Sequence, residues 1–379
     1  MTDPRRPSSV SGQLVLNDEV RPGRVLIEEG RIAAIEPDLA TPADDFVVPG
    51  FIDVHVHGWG GHDAMGGPDA LSGMARALAG RGVTTFLPTS VTATFEKLTA
   101  FAASVREWMP AAPEDGAEPL GFNMEGPFLA EAKKGAHPGD LLRHPADLDE
   151  ATLASFLEGL RIITIAPELR AAPELIGRLA RSGVRVSLGH SAATLAEARA
   201  GYAAGAVSTT HLFNAMVGLL HRGPGLALAA LLDDDVWVEL IADRQHVDPD
   251  LWPLIWRLKP ADRLLLVSDA IALAGTDRTR GRLGELEVEV HGDRVTLLGS
   301  DALGGSVTAL DREVRNLTDA GATLPSAIRA ASTNPAALLG LSDRGRLEVG
   351  LRADLALLDP SLGVRRVMRQ GAWIADVAD

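Results

Sequence analysis

The sequence predicts an α/β protein: a TIM-like (β/α)8 barrel that carries a small β-sandwich domain formed by both chain ends. Three observations predict it. Eight short apolar runs alternate with amphipathic helical segments across the middle of the 379-residue chain. Alternating segments with tight turns stand at both ends. Histidines and carboxylates close several of the apolar runs, at the strand ends where barrels of this type gather their polar residues.

The elements follow in order. QLVLND, RVLIEEGRIAAIEP and DFVVPG read as short strands, with a hairpin step at Glu29-Gly30. The barrel runs are Phe51–His57, Val83–Thr89, Leu120–Glu125, Ile162–Pro167, Val184–His190, Ala206–His211, Val236–Ala242 and Leu264–Asp269. Segments at helical spacing separate them: Leu71–Arg81, Thr94–Trp108, Glu174–Arg181 and Thr194–Ala204. GELEVEVHGDRVTLLG reads as a hairpin turning at His291-Gly292-Asp293. ADLALLDP and GVRRVMRQGAWIADV, turning at Gln370-Gly371, mirror the N-terminal strands. The expected division is a small domain of residues 1–49 and 344–379, and a barrel of 50–343 with a hairpin insertion near 284–298.

Composition sets limits. The chain is 46% hydrophobic, enough for a sizeable core, and 36 Lys+Arg against 51 Asp+Glu give a net charge of −15. That balance argues against a general binder of nucleic acid or anionic membrane, though a local basic pocket is compatible with it. There is no cysteine, so a metal must be held by histidine and carboxylate. No apolar stretch reaches the ~18 residues of a membrane span, and the N-terminus has no apolar signal core. A cytoplasmic protein without membrane or nucleic-acid partners is expected.

FIDVHVHG delivers His55 and His57 to one face of a strand, because side chains at i and i+2 point the same way. Two imidazoles before a glycine-rich loop form half of a divalent-metal site. Glu125, His190, His211 and Asp269 end other runs, and a closed barrel brings all six to its mouth. A single strand-end histidine is more often a hydrogen-bonded structural residue. This set is different, because imidazole and carboxylate are what Zn²⁺ or Fe²⁺ accept. Glu125, between Met124 and Gly126, is costly to bury unpaired. Asp269 is open to three readings: ligand, proton shuttle, or cap of the next segment. His144 and His291 read as surface residues, and His62 in its loop fits either reading.

The motifs PGFIDVHVHG, NMEGPF, KKGAHP, LGHSAAT, TTHLFNAM, RGPGL, IADRQHVD, LVSDA and LGGS resemble the amidohydrolase superfamily. Within it they resemble the N-acetylglucosamine-6-phosphate deacetylase family, over nearly the whole barrel and the end domain. That resemblance implies a metal-dependent hydrolase that releases acetate from the amide of a phosphorylated amino sugar. It implies Glu125, His190 and His211 as ligands of one metal, and His55 and His57 as ligands of a second, with Glu125 bridging. One or two divalent ions per subunit follow, Zn²⁺ or Fe²⁺. It implies Asp269 as general base and acid, and His246 as the group polarising the acetamide carbonyl. Asn214, the backbone of Ala215, and Arg222 resemble phosphate contacts, and His137 a sugar-hydroxyl contact. A homodimer is implied, with Arg222 acting across its interface. Leu303 to Ser306 is expected to line the pocket through backbone groups. His221 receives no role. Read alone, Arg222 is an ordinary surface cation and Asn214 a turn residue.

Three other readings compete. A deacetylase of N-acetylgalactosamine 6-phosphate differs by one hydroxyl contact. An amidohydrolase of a cyclic amide often bridges its metals with a carboxylated lysine, and Glu125 stands against that. A catalytically dead scaffold would have lost ligands or base, whereas this chain retains all six.

Overall fold

The computed structural model describes residues 5–37 and 44–377. Residues 1–4, 38–43 and 378–379, all within the expected end domain, lie outside the described residues.

All eight expected runs form strands: Phe51–Val56, Val83–Ser90, Phe122–Glu125, Leu160–Ile165, Arg185–Leu188, Ser208–Thr209, Trp237–Leu240 and Leu264–Leu266. Each pairs in parallel with the next. The ring is joined by single hydrogen bonds beyond the ladder. Asp269 N–H donates to the His55 carbonyl at 2.9 Å, and His57 N–H to the Ala270 carbonyl at 2.8 Å. Phe51–Val56 and Val83–Ser90 are buried along their whole length. Two-sided burial explains why these strands read as continuous apolar runs.

The helices follow local signals. Thr94 caps Phe95–Trp108 by accepting from Lys97 N–H, and Leu98, Phe101, Ala102, Val105 and Trp108 form its buried stripe. Thr194 and Glu197 close a reciprocal capping box on Leu195–Ala204.

The chain ends build one continuous seven-stranded sheet. Phe46–Pro49 lies at its centre, parallel to Ser9–Val15 and antiparallel to Leu355–Leu358. Leu14, Val47, Leu355 and Met368 face the sheet's own core, while their neighbours Val15, Val48, Ala356 and Val367 join the barrel core. This period of two makes the barrel the sheet's second layer. The expected small β domain is thus built from both chain ends, with the barrel packed against its second face. Its hairpin turns Glu29-Gly30 (φ 49° and 76°) and Gln370-Gly371 (φ 49° and 73°) are left-handed at both positions, as type I′ turns require.

Between the eighth strand and the helix Leu310–Asp319 stands an antiparallel insertion, Arg280–Leu283, Leu286–His291 and Arg294–Leu297. The first of these strands extends the expected hairpin. Leu283, Val288 and Val295 pack with Val91, Ala136 and Ile271 at the barrel mouth, which sets the insertion beside the site.

Candidate active site

The strand Phe51–Val56 carries His55 at its end and His57 just beyond it. His190, His211 and Asp269 follow their ladders in the left-handed region, at φ 47°, 29° and 47°. A non-glycine residue there is strained by about 1–3 kcal/mol. The strain turns each side chain into the mouth instead of continuing the strand. His55, His57, Glu125, His190, His211 and Asp269 are all buried.

Glu125 is the hub. Its Oε1 lies 3.1 Å from His190 Nε2, 2.9 Å from His211 Nε2 and 3.6 Å from His55 Nε2. Its Oε2 lies 3.2 Å from His57 Nε2, and Asp269 Oδ1 stands 3.1 Å from the same nitrogen. The opposite ring nitrogens are already committed. His57 Nδ1 donates to the Thr89 carbonyl at 3.1 Å, and His190 Nδ1 to the Lys133 carbonyl at 2.9 Å. His55 Nδ1 donates to Glu239 Oε2 at 3.1 Å. A neutral imidazole with its proton on Nδ1 presents a lone pair at Nε2. These lone pairs converge on carboxylate oxygens, and His190 Nε2 faces His211 Nε2 at only 3.0 Å. His55 Nε2 is buried with no hydrogen-bond partner. An electron-rich cage of this kind fits a divalent cation. His55, His57, Glu125 and Asp269 form one group with metal-binding spacing.

The buried carboxylates draw positive charge into this cage: against burial, Glu125 and Glu239 hold the His55 imidazole well above its ordinary range, and Asp269 and Glu125 take His57 up to about 9. A divalent ion would supply that charge instead. Burial pushes the Glu125 carboxyl up, but the imidazoles around it, His55 first, hold it well below the usual range. Burial likewise opposes ionisation of Asp269, yet the His57 hydrogen bond and the His55 charge bring it to about 2. Burial takes the His190 imidazole down to about 4, despite Glu125, which keeps it neutral.

His57, Glu125, His190, His211 and Asp269 line a cavity of about 260 Å³, together with the expected His137, Asn214, Ala215, His246 and Leu303. His55 is fully buried behind His57. His246 Nδ1 donates to Asp243 Oδ2 at 2.7 Å. The Asn214 amide is anchored to the carbonyls of His211 and Leu212. Arg222 is not among the residues lining this cavity. It is exposed on an irregular segment beside Leu219 and Leu220, which are 43% and 58% exposed. Arg222 thus does not reach this cavity within its own chain. His62 packs its ring against Gly73, where a Cβ would lie 2.3 Å from it, so it serves the helix Pro68–Ala79.

Glu239 and Asp243 were missed from sequence. Glu239 Oε2 also accepts the His211 backbone N–H at 3.1 Å, so one carboxylate orients two histidines. Its signal, an acid in the apolar strand VWVELIAD, is the same one that exposed Glu125.

Glu313 is buried near Asp243 with both oxygens unpartnered. Burial, then the charges of Asp243 and Asp53, push its carboxyl well above the usual range. The folded protein thus holds this proton more tightly than the unfolded chain does. Stability is therefore lost as pH rises from the ordinary carboxylate range toward the raised folded value. Glu313→Gln should raise Tm over the parent at pH 8 and leave it nearly unchanged at pH 4. Equal shifts at both pH values in thermal melts would refute this.

The comparisons with known proteins bear on this geometry. The amidohydrolase family model matches residues 46–374. The N-acetylgalactosamine-6-phosphate deacetylase of Escherichia coli O157:H7 is 39% identical, over 91% of this chain and 93% of its own. The N-acetylglucosamine-6-phosphate deacetylase of Bos taurus is 38% identical, over 95% of this chain and 91% of its own. A solved structure, a mutant N-acetyl-D-glucosamine-6-phosphate deacetylase from Mycobacterium smegmatis in complex with N-acetyl-D-glucosamine-6-phosphate, superposes with a TM-score of 0.89. It is 33% identical and covers 97% of this chain and 99% of that one. A barrel whose strand ends gather histidines around one glutamate, matched along nearly its whole length, places the chain in the amidohydrolase family.

Proposed function

We propose that the protein hydrolyses the acetamide of N-acetylglucosamine 6-phosphate, giving glucosamine 6-phosphate and acetate. The observation that carries this reading is Glu125, set between the His190–His211 pair and His57 with Asp269 at its side. The full-length similarity to deacetylases of amino-sugar 6-phosphates supports the substrate class. The same reading keeps the division into an end domain (1–49 and 344–379) and a catalytic barrel (50–343).

Glu125, His190 and His211 would hold one divalent ion, and His55 and His57 with Glu125 a second; Zn²⁺ suits this donor set, and Fe²⁺ is accepted by it too. A bound cation of this type supplies Lewis acidity, lowering the pKa of a water to about 7. The chain's own groups do the rest. Asp269, held ionised, takes the proton of the attacking water. His246, oriented by the Nδ1 hydrogen bond to Asp243, polarises the acetamide oxygen as negative charge grows there. Asp269 then returns the proton to the departing amine. The Ala215 backbone and Asn214 face the sugar phosphate, and Leu303 closes the apolar side.

Arg222 completes the phosphate site from a neighbouring copy in a homodimer. Its exposure outside its own cavity, beside two exposed leucines, supports this arrangement. Arg222→Ala should raise KM for the phosphorylated sugar about 10- to 100-fold, as expected for losing a charged bidentate contact. It should leave KM for unphosphorylated N-acetylglucosamine unchanged; an equal effect on both would remove Arg222 from the phosphate site. No helix among the described residues is long and apolar enough to cross a membrane. A dianionic sugar phosphate does not cross a bilayer unaided, which supports a cytoplasmic setting.

N-acetylgalactosamine 6-phosphate is the second reading, favoured by a relative of that name at 39% identity. The test is acetate release by the Zn²⁺-reconstituted protein from both phosphorylated epimers and from unphosphorylated N-acetylglucosamine. Phosphate-dependent turnover supports the proposal, and the faster epimer names the substrate. No turnover on any of the three, with metal bound, would overturn the sugar assignment.

A further inference from the structure

The fourth barrel strand, Leu160–Ile165, supplies none of the residues lining the cavity. The acid that follows it, Glu168, nevertheless reaches across to the loop after the fifth strand. Its Oε2 accepts the Ser191 hydroxyl at 2.7 Å, and its Oε1 accepts the Ala192 backbone N–H at 2.5 Å. Ser191 Oγ accepts in turn from the Ala193 N–H at 3.0 Å. One carboxylate thereby commits both oxygens to the two residues that follow His190. Ser191 is fully buried and Glu168 half-buried, so water competes little for these bonds. Hydrogen bonds to a carboxylate are roughly twice as strong as those between neutral groups.

The stretch that Glu168 holds is the bed of the segment expected to meet the phosphate. Ser191 N–H donates to the Ala215 carbonyl at 3.0 Å, and Leu195 N–H donates to the Pro224 carbonyl at 3.0 Å. Isolated bridges pair Ser191 with Met216 and Thr194 with Gly225. A Cβ on Gly225 would lie 2.6 Å from the Ala193 carbonyl oxygen, so only glycine lets the two stretches close this far. Between these two anchor points residues 219–223 are exposed, Arg222 among them. Ala215 stands at the first anchor with φ 47°. The His190 ring is fixed separately, through Nδ1 to the Lys133 carbonyl. Glu168 therefore supports the run from Ala215 to Gly225 more than it supports the histidine cage.

We propose that Glu168 is a positioning residue for the phosphate side of the site. By locking Ser191 and Ala192 it holds both anchor points of the segment 215–225, and so sets where the Ala215 backbone and Arg222 stand. Glu168 does not line the cavity and acts through the loop. The proposal rests on the reading of Asn214, Ala215 and Arg222 as phosphate contacts, but not on which sugar epimer is turned over.

Three variants test it: Glu168→Ala, Glu168→Gln and Ser191→Ala. Each is followed by hydrogen–deuterium exchange of the full chain, by Zn²⁺ titration against a chromophoric chelator, and by acetate release from phosphorylated and unphosphorylated N-acetylglucosamine. Glu168→Ala should speed exchange at residues 191–195 and 215–225 by about 10-fold or more, the order of one charged hydrogen bond lost. Exchange in the strand Phe51–Val56 should not change. KM for the phosphorylated sugar should rise about 10-fold. The kcat, the Zn²⁺ affinity and the KM for the unphosphorylated sugar should each stay within about threefold of the parent, because the cage is anchored elsewhere. Glu168→Gln keeps an acceptor for the Ala192 N–H and offers an amide to Ser191 Oγ, so it should restore most of both losses. Ser191→Ala removes one of the two ties and should raise KM about threefold. Unchanged exchange at 191–195 and 215–225 in Glu168→Ala would overturn the proposal. Equal KM rises for both sugars would also overturn it and make Glu168 a general support of the barrel. A Glu168→Gln variant as impaired as Glu168→Ala would do the same. Should the parent show no preference for the phosphorylated sugar, the phosphate reading fails alone, and the exchange rates still decide whether Glu168 holds the segment.

Discussion

Asp269→Asn should lower kcat by about 10³- to 10⁴-fold while Zn²⁺ remains bound at the Glu125, His190 and His211 side. The magnitude is that of a general base and acid lost from one step. Asp269 Oδ1 is 3.1 Å from His57 Nε2 and 3.5 Å from His55 Nε2. The asparagine keeps the volume and one acceptor oxygen but cannot take a proton. Its amide also meets His57 with less charge, so affinity on the His55–His57 side should fall. Metal content and kcat together separate the roles left open by the sequence. Near-normal turnover in the variant would remove Asp269 from the proton path. Loss of all metal would make it chiefly a ligand.

Both ends of Asp269's ladder show why the barrel was legible in the sequence and its geometry was not. Two-sided burial writes parallel strands as apolar runs, so all eight could be found. The run Ala206–His211 pairs only over Ser208–Thr209, and Leu264–Asp269 only over Leu264–Leu266. The chain leaves the ladder before the functional residue, and the left-handed φ values that do this have no signature in apolar periodicity. The hub residues were legible because a buried acid or a pair of histidines is costly without a partner. Glu239 obeys the same rule but lies inside the run Val236–Ala242, not at its end, where the site residues were sought. Arg222 was singled out only through the family resemblance; read alone it was a surface cation. An exposed arginine looks the same whether it faces water or a neighbouring subunit. The tautomer of His57 was equally hidden, since it depends on the Thr89 carbonyl, distant in sequence.

Glu125→Gln should have the larger effect of the two, removing bound metal and turnover together without unfolding the barrel. Glu125 brings the one full negative charge that touches His57, His137, His190 and His211 at once. Glutamine fits the same space but replaces one oxygen by an NH₂ group. That group can donate to the very Nε2 lone pairs that a cation would occupy. The amide therefore substitutes for the cation in two senses: it satisfies the rings, and it removes the charge that draws a divalent ion into a buried site. The expected results are metal content near zero after dialysis, kcat down by at least about 10⁴-fold, and no recovery with added Zn²⁺. Folding should be preserved, because the surrounding strands keep their ladders and the histidines regain partners. Glu125→Ala makes the control, since it removes the charge without offering a donor. It should also lose metal, but leave the rings unsatisfied and so be the less stable of the two. A Glu125→Gln protein that retains its metal and stays within tenfold of the parent kcat would show that the carboxylate is not the hub of this site.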